Sequence, residues 1–251
     1  MRRPYRHLLL LFGIASLLWL APELARAQPS VTVSLQDAEG PEQVTGALKA
    51  LGLLTILAIA PGILISMTSF TRIVVVLSFV RQAMGTQNVP PMQVILALSL
   101  LLTGVVMAPI AHRIDEQALS PYMDEEIGEE ELWKRSSGIL RAFLLSQTRE
   151  ADLLAFYDLS GSALPDTEEE VELLLLVPAF MISELRTGFE MGFLIFLPFV
   201  LVDLVVASIL TAMGMVMLPP TMVSTPLKVL LFVVVDGWAL LTRSLVASFG
   251  G

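Results

Sequence analysis

Two carboxylates lie inside long apolar stretches of this 251-residue chain. Asp203 is near the middle of an apolar run over residues 191–213, and Asp236 lies within a second run over residues 229–249. A carboxylate at the centre of a bilayer costs several kcal/mol, so a functional or structural reason keeps it there. Three kinds of chemistry fit: an aspartyl dyad for intramembrane proteolysis, a proton or ion relay in a transporter, or ion pairs inside a tightly packed complex.

The residues around the two aspartates favour assembly over the other two uses. Asp203 has no glycine neighbour, and Asp236 has only Gly237, so the glycine-flanked aspartate of an intramembrane protease is missing. A proton relay chains several titratable groups, whereas these runs add only Arg72 and Arg243. On one helix Asp236 and Arg243 are about 10 Å apart along the axis, too far for a direct pair. Each charge therefore needs a partner on another helix or another subunit. A proton-coupled secondary transporter is the alternative.

Composition predicts an integral membrane protein. Hydrophobic residues make up 55% of the chain and charged residues 16%, against about 45–50% and about 25% in soluble domains. The net charge of −9 disfavours a nucleic-acid-binding protein, which needs a basic face. With no cysteine and two histidines, neither disulfides nor a cysteine or histidine metal site is expected. We predict no catalytic residue, no metal and no cofactor.

The amino terminus has the pattern of a secretory signal peptide. Arg2, Arg3 and Arg6 precede an apolar run over residues 8–20, and small residues flank Arg26 before a cleavage site between Ala27 and Gln28. The apolar run is too short to cross a bilayer well, since about 20 residues are needed. We therefore predict a cleaved signal over residues 1–27 and a short periplasmic segment over residues 28–49.

Four apolar blocks follow, which predict an all-α membrane protein with about four apolar helical segments. They cover residues 50–80, 92–111, 191–213 and 229–249. The first block is too long for one straight span, and Pro61 with Gly62 predicts a kink inside it. Residues 50–111 are expected to form a first helical hairpin and residues 187–251 a second one.

Residues 112–186 are predicted to be a helical acidic domain. They carry 17 acidic and 6 basic side chains, a net charge of −11. Apolar residues recur at helical spacing over 132–144, and a second short helix is expected near residues 153–157. Arg72, Arg81 and Lys228 fall in the two other connections, which suits a cytoplasmic location for those. A cleaved signal then places residues 112–186 in the periplasm.

Small residues and methionines indicate helix contacts and an adaptable loop. Gly188 and Gly192 have the spacing that lets two helices approach closely. Met213, Met215 and Met217 alternate before a double proline that cannot continue a helix. Because methionine is flexible and polarizable, copies of this loop in a ring would form a compliant hydrophobic constriction, although a methionine-rich loop is more often plain core or a contact with lipid.

Several longer motifs resemble the FliP/SctR family of type III export-gate proteins. They cover residues 178–193, 198–208, 67–72, 226–228 and 235–238. The resemblance extends from about residue 45 to the end of the chain. The signal peptide and the acidic insertion favour the flagellar branch of the family.

The resemblance implies a pore-forming subunit of the flagellar export gate in the bacterial inner membrane, within the flagellar basal body. Five copies would assemble with FliQ and FliR, near FlhA, FlhB and the MS ring, and would pass unfolded flagellar proteins. It also implies helices arranged as bent hairpins. Without a nucleotide-binding phosphate loop, the chain is expected to be a conduit and not an enzyme.

The family also suggests roles for individual residues. A pore gasket is expected at Met213, Met215, Val216 and Met217, where the valine departs from an all-methionine run. Buried charges for subunit contacts are expected at Arg72, Glu184, Arg186, Glu190, Asp203, Lys228, Asp236 and Arg243.

Overall fold

The computed structural model describes residues 41–86, 89–215 and 217–250. Every regular element in these ranges is helical, and the order is α1 (Pro41–Ser66), α2 (Phe70–Ala83), α3 (Met92–Ile114), α4 (Ser120–Met123), α5 (Glu129–Gln147), α6 (Glu150–Ser160), α7 (Leu173–Ala212), α8 (Pro220–Val234) and α9 (Gly237–Ala247). A π-helical turn, Asp115–Leu119, joins α3 to α4, and a 3-10 turn, Glu168–Glu170, precedes α7. The predicted signal peptide and its cleavage site at Ala27 and Gln28 lie outside the described residues.

The predicted fold class is confirmed by the length and polarity of these helices. Leu48–Ser66, Met92–Met123 and Leu173–Ala212 are each long and apolar enough to cross a membrane. The α8–α9 pair provides a fourth span if its two helices, bent by 64°, count as one. The described part of the chain is therefore all-α, with three to four helices able to span a membrane.

The first apolar block is broken, as predicted, but not at Pro61. Helix α1 continues through Pro61 and Gly62 and ends at Ser66, and α2 begins at Phe70. At the break the Ser66 hydroxyl donates to the Ile63 carbonyl at 2.8 Å. Hydroxyl-to-backbone bonds also form at Ser99 and Thr103 inside the continuous helix α3, so the bond of Ser66 accompanies the break and does not by itself cause it. The chain divides into two compact units, with the boundary within α1 between Ala58 and Ile59.

Two apolar cores hold the helices that follow the break. In α2, Ile73, Val76, Leu77 and Val80 recur at the spacing of one helix face and are completely buried. They pack in one cluster with residues of α3, α7, α8 and α9. A second cluster joins α5, α6 and α7 around Phe180. The amphipathic helix and the short helix predicted in the acidic segment are confirmed as α5 and α6.

Helix α7 links the two cores and is longer than the sequence suggested. It runs for 40 residues, about 60 Å, and begins 18 residues before the apolar block predicted to start at Met191. The boundary predicted at residue 186 therefore falls inside a continuous helix. A helix of this length is about twice the thickness of a bilayer core. The position of Asp203 near the middle of the apolar run over residues 191–213 therefore does not place its side chain at the centre of a bilayer.

Candidate functional site

The side chain of Arg72 is the centre of a buried polar cluster. Its Nε donates to Glu184 Oε2 at 3.0 Å, and its Nη2 donates to Glu184 Oε1. The Glu184 side chain is completely buried and that of Arg72 is 4% exposed. A bidentate pair of this kind matches the planar guanidinium to the carboxylate and offsets part of the cost of removing both charges from water.

The remaining donors of Arg72 bind two other segments of the chain. Nη1 donates to the carbonyl and the hydroxyl of Ser248, each at 3.1 Å, and Nη2 donates to Gln147 Oε1 at 3.1 Å. The Phe249 ring lies 3.9 Å from the guanidinium carbon, a cation–π distance. We call Arg72, Gln147, Glu184, Ser248 and Phe249 the Arg72 cluster. It ties α2 to α5, to α7 and to the segment after α9.

A second ion pair joins α7 to α8. Lys228 Nζ lies 2.5 Å from Asp203 Oδ2, and the Ser224 hydroxyl donates to Asp203 Oδ1 at 2.6 Å. The two partners differ in burial, because the Lys228 side chain is 6% exposed and that of Asp203 is 37% exposed. The partner that Asp203 requires is therefore supplied by another helix of the same chain, as it is for Arg72 and Glu184.

The two ion pairs lie far apart along α7. Glu184 and Asp203 are 19 residues apart in one continuous helix, about 28 Å at 1.5 Å per residue. This separation prevents direct interaction between the two pairs. They stabilise two different levels of the helix packing and cannot form a single catalytic or proton-relay site.

The other four predicted charges lie at the surface of the single chain. The side chains of Arg186 and Glu190 are both more than half exposed, and the expected i, i+4 pair forms at 3.4 Å. Glu190 also binds Arg149 at 2.6 Å, and this hydrogen bond raises the pKa of Arg149 above its ordinary value. Asp236 and Arg243 are exposed. The coverage of these charges by sister subunits stays a prediction.

Gly188 and Gly192 lie where α7 crosses α2. A Cβ atom added at Gly188 would be 3.1 Å from Val75 Cγ1, and one added at Gly192 would be 2.6 Å from Phe79 Cγ. Only a glycine leaves room for α2 at the second position, since real Cβ contacts are longer. The small-residue pair thus brings α7 against a helix of its own chain.

The methionine loop, residues 213–219, follows the end of α7. Gly214 has φ +76°, its N–H donates to the Thr211 carbonyl, and the Met215 N–H donates to the Leu210 carbonyl. These two bonds and the left-handed glycine form a Schellman motif, which ends the helix and sets the direction of the loop. Helix α8 begins at Pro220, so the loop predicted from the double proline is confirmed. Val216 lies outside the described residues.

The loop methionines project from the protein surface. Exposure is 66% for Met213, 39% for Met215 and 96% for Met217. Pro219 and Pro220 hold the far side of the loop, because each has a restricted φ and Pro220 occupies the first position of α8. The helix end at Gly214 and the start of α8 at Pro220 therefore bound a loop with flexible, exposed apolar side chains, which is the arrangement that a compliant hydrophobic contact requires.

Sequence reasoning missed the neutral partners of the charges. Gln147 and Ser248 bind Arg72 from 75 and 176 residues away, and no local pattern marks either of them. Ser224 was detectable, because it lies one helical turn before Lys228 and so shares its face. A third group was also missed: Ser183, completely buried, donates to Asp152 Oδ2 at 2.7 Å and accepts from the Arg149 N–H.

Because Lys228 is buried and Asp203 is partly exposed, removing either partner of this ion pair should lower the free energy of unfolding by a different amount. Asp203→Val leaves a buried ammonium without its carboxylate, so we expect a loss of about 3 kcal/mol. Lys228→Met leaves a carboxylate that water already reaches, so we expect a loss of about 1 kcal/mol. Thermal unfolding of the full chain in mild detergent measures the stability of both variants. The double variant Asp203→Val, Lys228→Met should recover most of the stability lost in Asp203→Val. Equal costs would contradict the assigned burial.

Apolar helices of membrane-spanning length, joined to one another by ion pairs within the chain, define an integral membrane protein. A sequence model of the FliP family matches residues 53–245. The flagellar biosynthetic protein FliP of Bacillus subtilis (strain 168) is 47% identical over 217 residues, which cover 86% of this chain and 98% of that protein. The protein of the same name from Cereibacter sphaeroides is 48% identical, and the match covers 87% of this chain and 73% of that protein. The one from Aquifex aeolicus (strain VF5) is 47% identical, and the match covers 86% of this chain and 91% of that protein. The chain belongs to the FliP family.

Proposed function

We propose that this chain is a pore-forming subunit of the flagellar type III protein export gate in the bacterial inner membrane. The similarity to flagellar biosynthetic proteins over most of the chain supports a role in flagellar assembly. The observation that carries the pore assignment is the methionine loop. Its methionine side chains are 39–96% exposed in one chain, and a ring of several copies would bring them together around an axis.

The proposed seal works through the physical properties of the thioether side chains. A narrow apolar ring excludes water and ions, because an ion entering it loses its hydration. An unfolded polypeptide can pass, since methionine side chains have three rotatable bonds and repack around different shapes. The Schellman motif holds the base of each loop in one orientation, so only the side chains need to move when the ring opens.

Assembly accounts for the exposed surface of the single chain. Large apolar side chains are exposed along α7, α8 and α9, and Arg186, Asp236 and Arg243 lie among or beside them. Such surfaces mark contacts with lipid or with other chains. In our proposal five copies contact one another, FliQ and FliR, with FlhA, FlhB and the MS ring nearby, and unfolded flagellar proteins pass through the centre. The acid-rich residues 112–186 face the periplasm.

A proton-coupled transporter is the second candidate, but the geometry favours it less. Such a protein needs carboxylates that bind and release protons along one path. Asp203 is held by Lys228 and Ser224, and Glu184 is held by Arg72 about 28 Å away along α7. Both carboxylates are therefore committed to structural pairs.

The double change Met215→Ala and Met217→Ala tests the proposed seal. It removes most of the apolar volume at the loop tip, so we expect small-ion leak across vesicles with the assembled complex to rise several-fold. Leak is measured as the decay of an imposed ion gradient. Met123→Ala is the control, because that methionine is 71% exposed, between Met215 and Met217, but belongs to α4. Unchanged leak in a fully assembled complex would overturn the seal.

A further inference from the structure

A cavity of about 780 Å³ lies in the acidic segment, between the end of α3, one face of α5 and the 3-10 turn before α7. Sites for small molecules enclose about 300–1,000 Å³, so its size suits a ligand. The charged side chains that line it are Arg113, Glu130, Glu131, Lys134, Arg135, Arg141, Glu168 and Glu169. Four of the six basic side chains of residues 112–186 are among them. The positive charge of a strongly acidic segment is therefore concentrated at this cavity.

Arg141 has a buried donor atom without a partner. In the described part of the chain, no acceptor lies within hydrogen-bond distance of its buried Nε. A buried donor left unsatisfied is costly, so such atoms point to a partner that the chain itself does not supply. Arg135 of the same cavity differs, because it donates to Glu131 Oε1 at 2.7 Å and to the Gln117 carbonyl at 3.2 Å. The cavity thus holds one satisfied arginine and one that lacks an acceptor.

The two signs of charge come from different walls of the cavity. Arg113 belongs to the last turn of α3 and Arg141 to α5, whereas Glu168 and Glu169 belong to the 3-10 turn. A ligand with an anionic group at one end and a cationic group at the other would meet opposite charge at both ends. A plain anion would lack a partner for the carboxylates. All these groups belong to one chain, so every subunit of an assembly has them.

The position of the cavity along the chain favours a lipid as the source of such a ligand. Arg113 follows the uncharged apolar block of residues 92–111 by two positions, in a helix long enough to cross a membrane. An arginine at the end of a spanning helix lies at the level of the lipid head groups. Trp133 also lines the cavity and is exposed, and tryptophan is enriched at that level of a membrane.

We propose that this cavity binds a phosphoethanolamine group, and that the membrane lipid phosphatidylethanolamine supplies it. The phosphate accepts hydrogen bonds from Arg141 and Arg113, and the ammonium lies beside Glu168 and Glu169. Arginine suits the first role, because its guanidinium forms charge-assisted hydrogen bonds with phosphate oxygens. The site requires that α3 cross the membrane, but it does not depend on the pore assignment.

Native mass spectrometry of the purified full chain in mild detergent tests the phosphate end. Phosphatidylethanolamine and phosphatidylglycerol are offered in equal amounts, and the spectra give the number of each bound per chain. We expect several-fold more phosphatidylethanolamine. Arg141→Met removes a phosphate donor and should weaken that binding about tenfold. Arg186→Met is the matched control, because this arginine lies on the surface of α7, outside the cavity, and should leave binding unchanged.

The double change Glu168→Gln and Glu169→Gln tests the ammonium end. Both side chains are exposed in a short turn, so the fold should tolerate the change, and this variant decides the question if Arg141→Met fails to fold. We expect it to lose the preference for phosphatidylethanolamine over phosphatidylglycerol. Soluble glycerophosphoethanolamine, which has no acyl chains, should displace little of the lipid. Full displacement at equal concentration would overturn the lipid as the source.

Equal binding of the two lipids by the unmodified chain would overturn the proposal, as would unchanged binding by Arg141→Met. The same measurement on the assembled complex should also show bound phosphatidylethanolamine. If the complex binds none where the single chain does, another subunit fills the cavity and the lipid site is refuted for the gate. Ion leak plays no part in these measurements, so the lipid site and the proposed seal fail independently.

Discussion

Replacing Arg72 with methionine is expected to destabilise the protein by about 3–5 kcal/mol, the largest effect of any single change proposed for this chain. The change leaves the Glu184 carboxylate completely buried without its bidentate partner, and it removes the donors that bind Gln147 and Ser248. Thermal unfolding of the full chain in mild detergent should show a fall in Tm of roughly 10 °C.

Two further variants separate the loss of the ion pair from the loss of a long side chain. Arg186→Met removes an arginine whose side chain is 58% exposed and whose pair with Glu190 lies on the helix surface, so we expect a change of less than about 0.5 kcal/mol. Combining Arg72→Met with Glu184→Leu removes both buried charges and should recover most of the lost stability. A double variant as unstable as Arg72→Met alone would contradict this assignment.

Gly192→Ala should destabilise the protein by about 1–3 kcal/mol, although alanine is the better helix former. The added Cβ would lie 2.6 Å from Phe79 Cγ and 2.9 Å from Phe79 Cβ, so rotation of the ring alone cannot relieve the clash. The two helices would have to move apart where α7 crosses α2. Thermal unfolding measures the stability, and the yield of assembled complex reports whether subunit packing suffers with it.

The matched control is Gly104→Ala, since both glycines lie inside long apolar helices. No atom lies within 4 Å of a Cβ added at Gly104, so only helix propensity changes there. We expect Gly104→Ala to raise the free energy of unfolding by about 0.5–1 kcal/mol, which is opposite in sign to the effect of Gly192→Ala. Effects of the same sign at the two positions would show that helix propensity, and not the contact with Phe79, decides the outcome.

The start of α7 shows what hydropathy alone could not predict. Glu184, Arg186 and Glu190 interrupt the apolar pattern, so the predicted block began at Met191, whereas the helix begins at Leu173. The charges are tolerated in the helix because Arg72 and Arg149 bind two of them from other elements. Those partners are distant in sequence, and periodicity within one segment carries no information about them.

The breaks between helices were predicted where local chemistry dominates and missed where tertiary packing does. The double proline predicted the methionine loop, because proline acts on its own backbone. Helix α1 continues through Pro61 to Ser66, and the kink predicted at Pro61 stays a prediction. The break between α8 and α9 was not predicted: Asp236 adopts a left-handed conformation with φ +52°, which aspartate tolerates better than most residues do.

The Arg72 cluster has a consequence for the order of events during synthesis. Its members are spread from Arg72 to Phe249, so the arginine leaves the ribosome long before Ser248, 176 residues later, is added. Its carboxylate partner Glu184 is added 112 residues after Arg72, so the ion pair becomes possible before α8 and α9 are made. A nascent chain halted before α9 would hold the Arg72–Glu184 pair without the bonds to Ser248 and the contact with Phe249, and the cluster closes only when the last helix is complete.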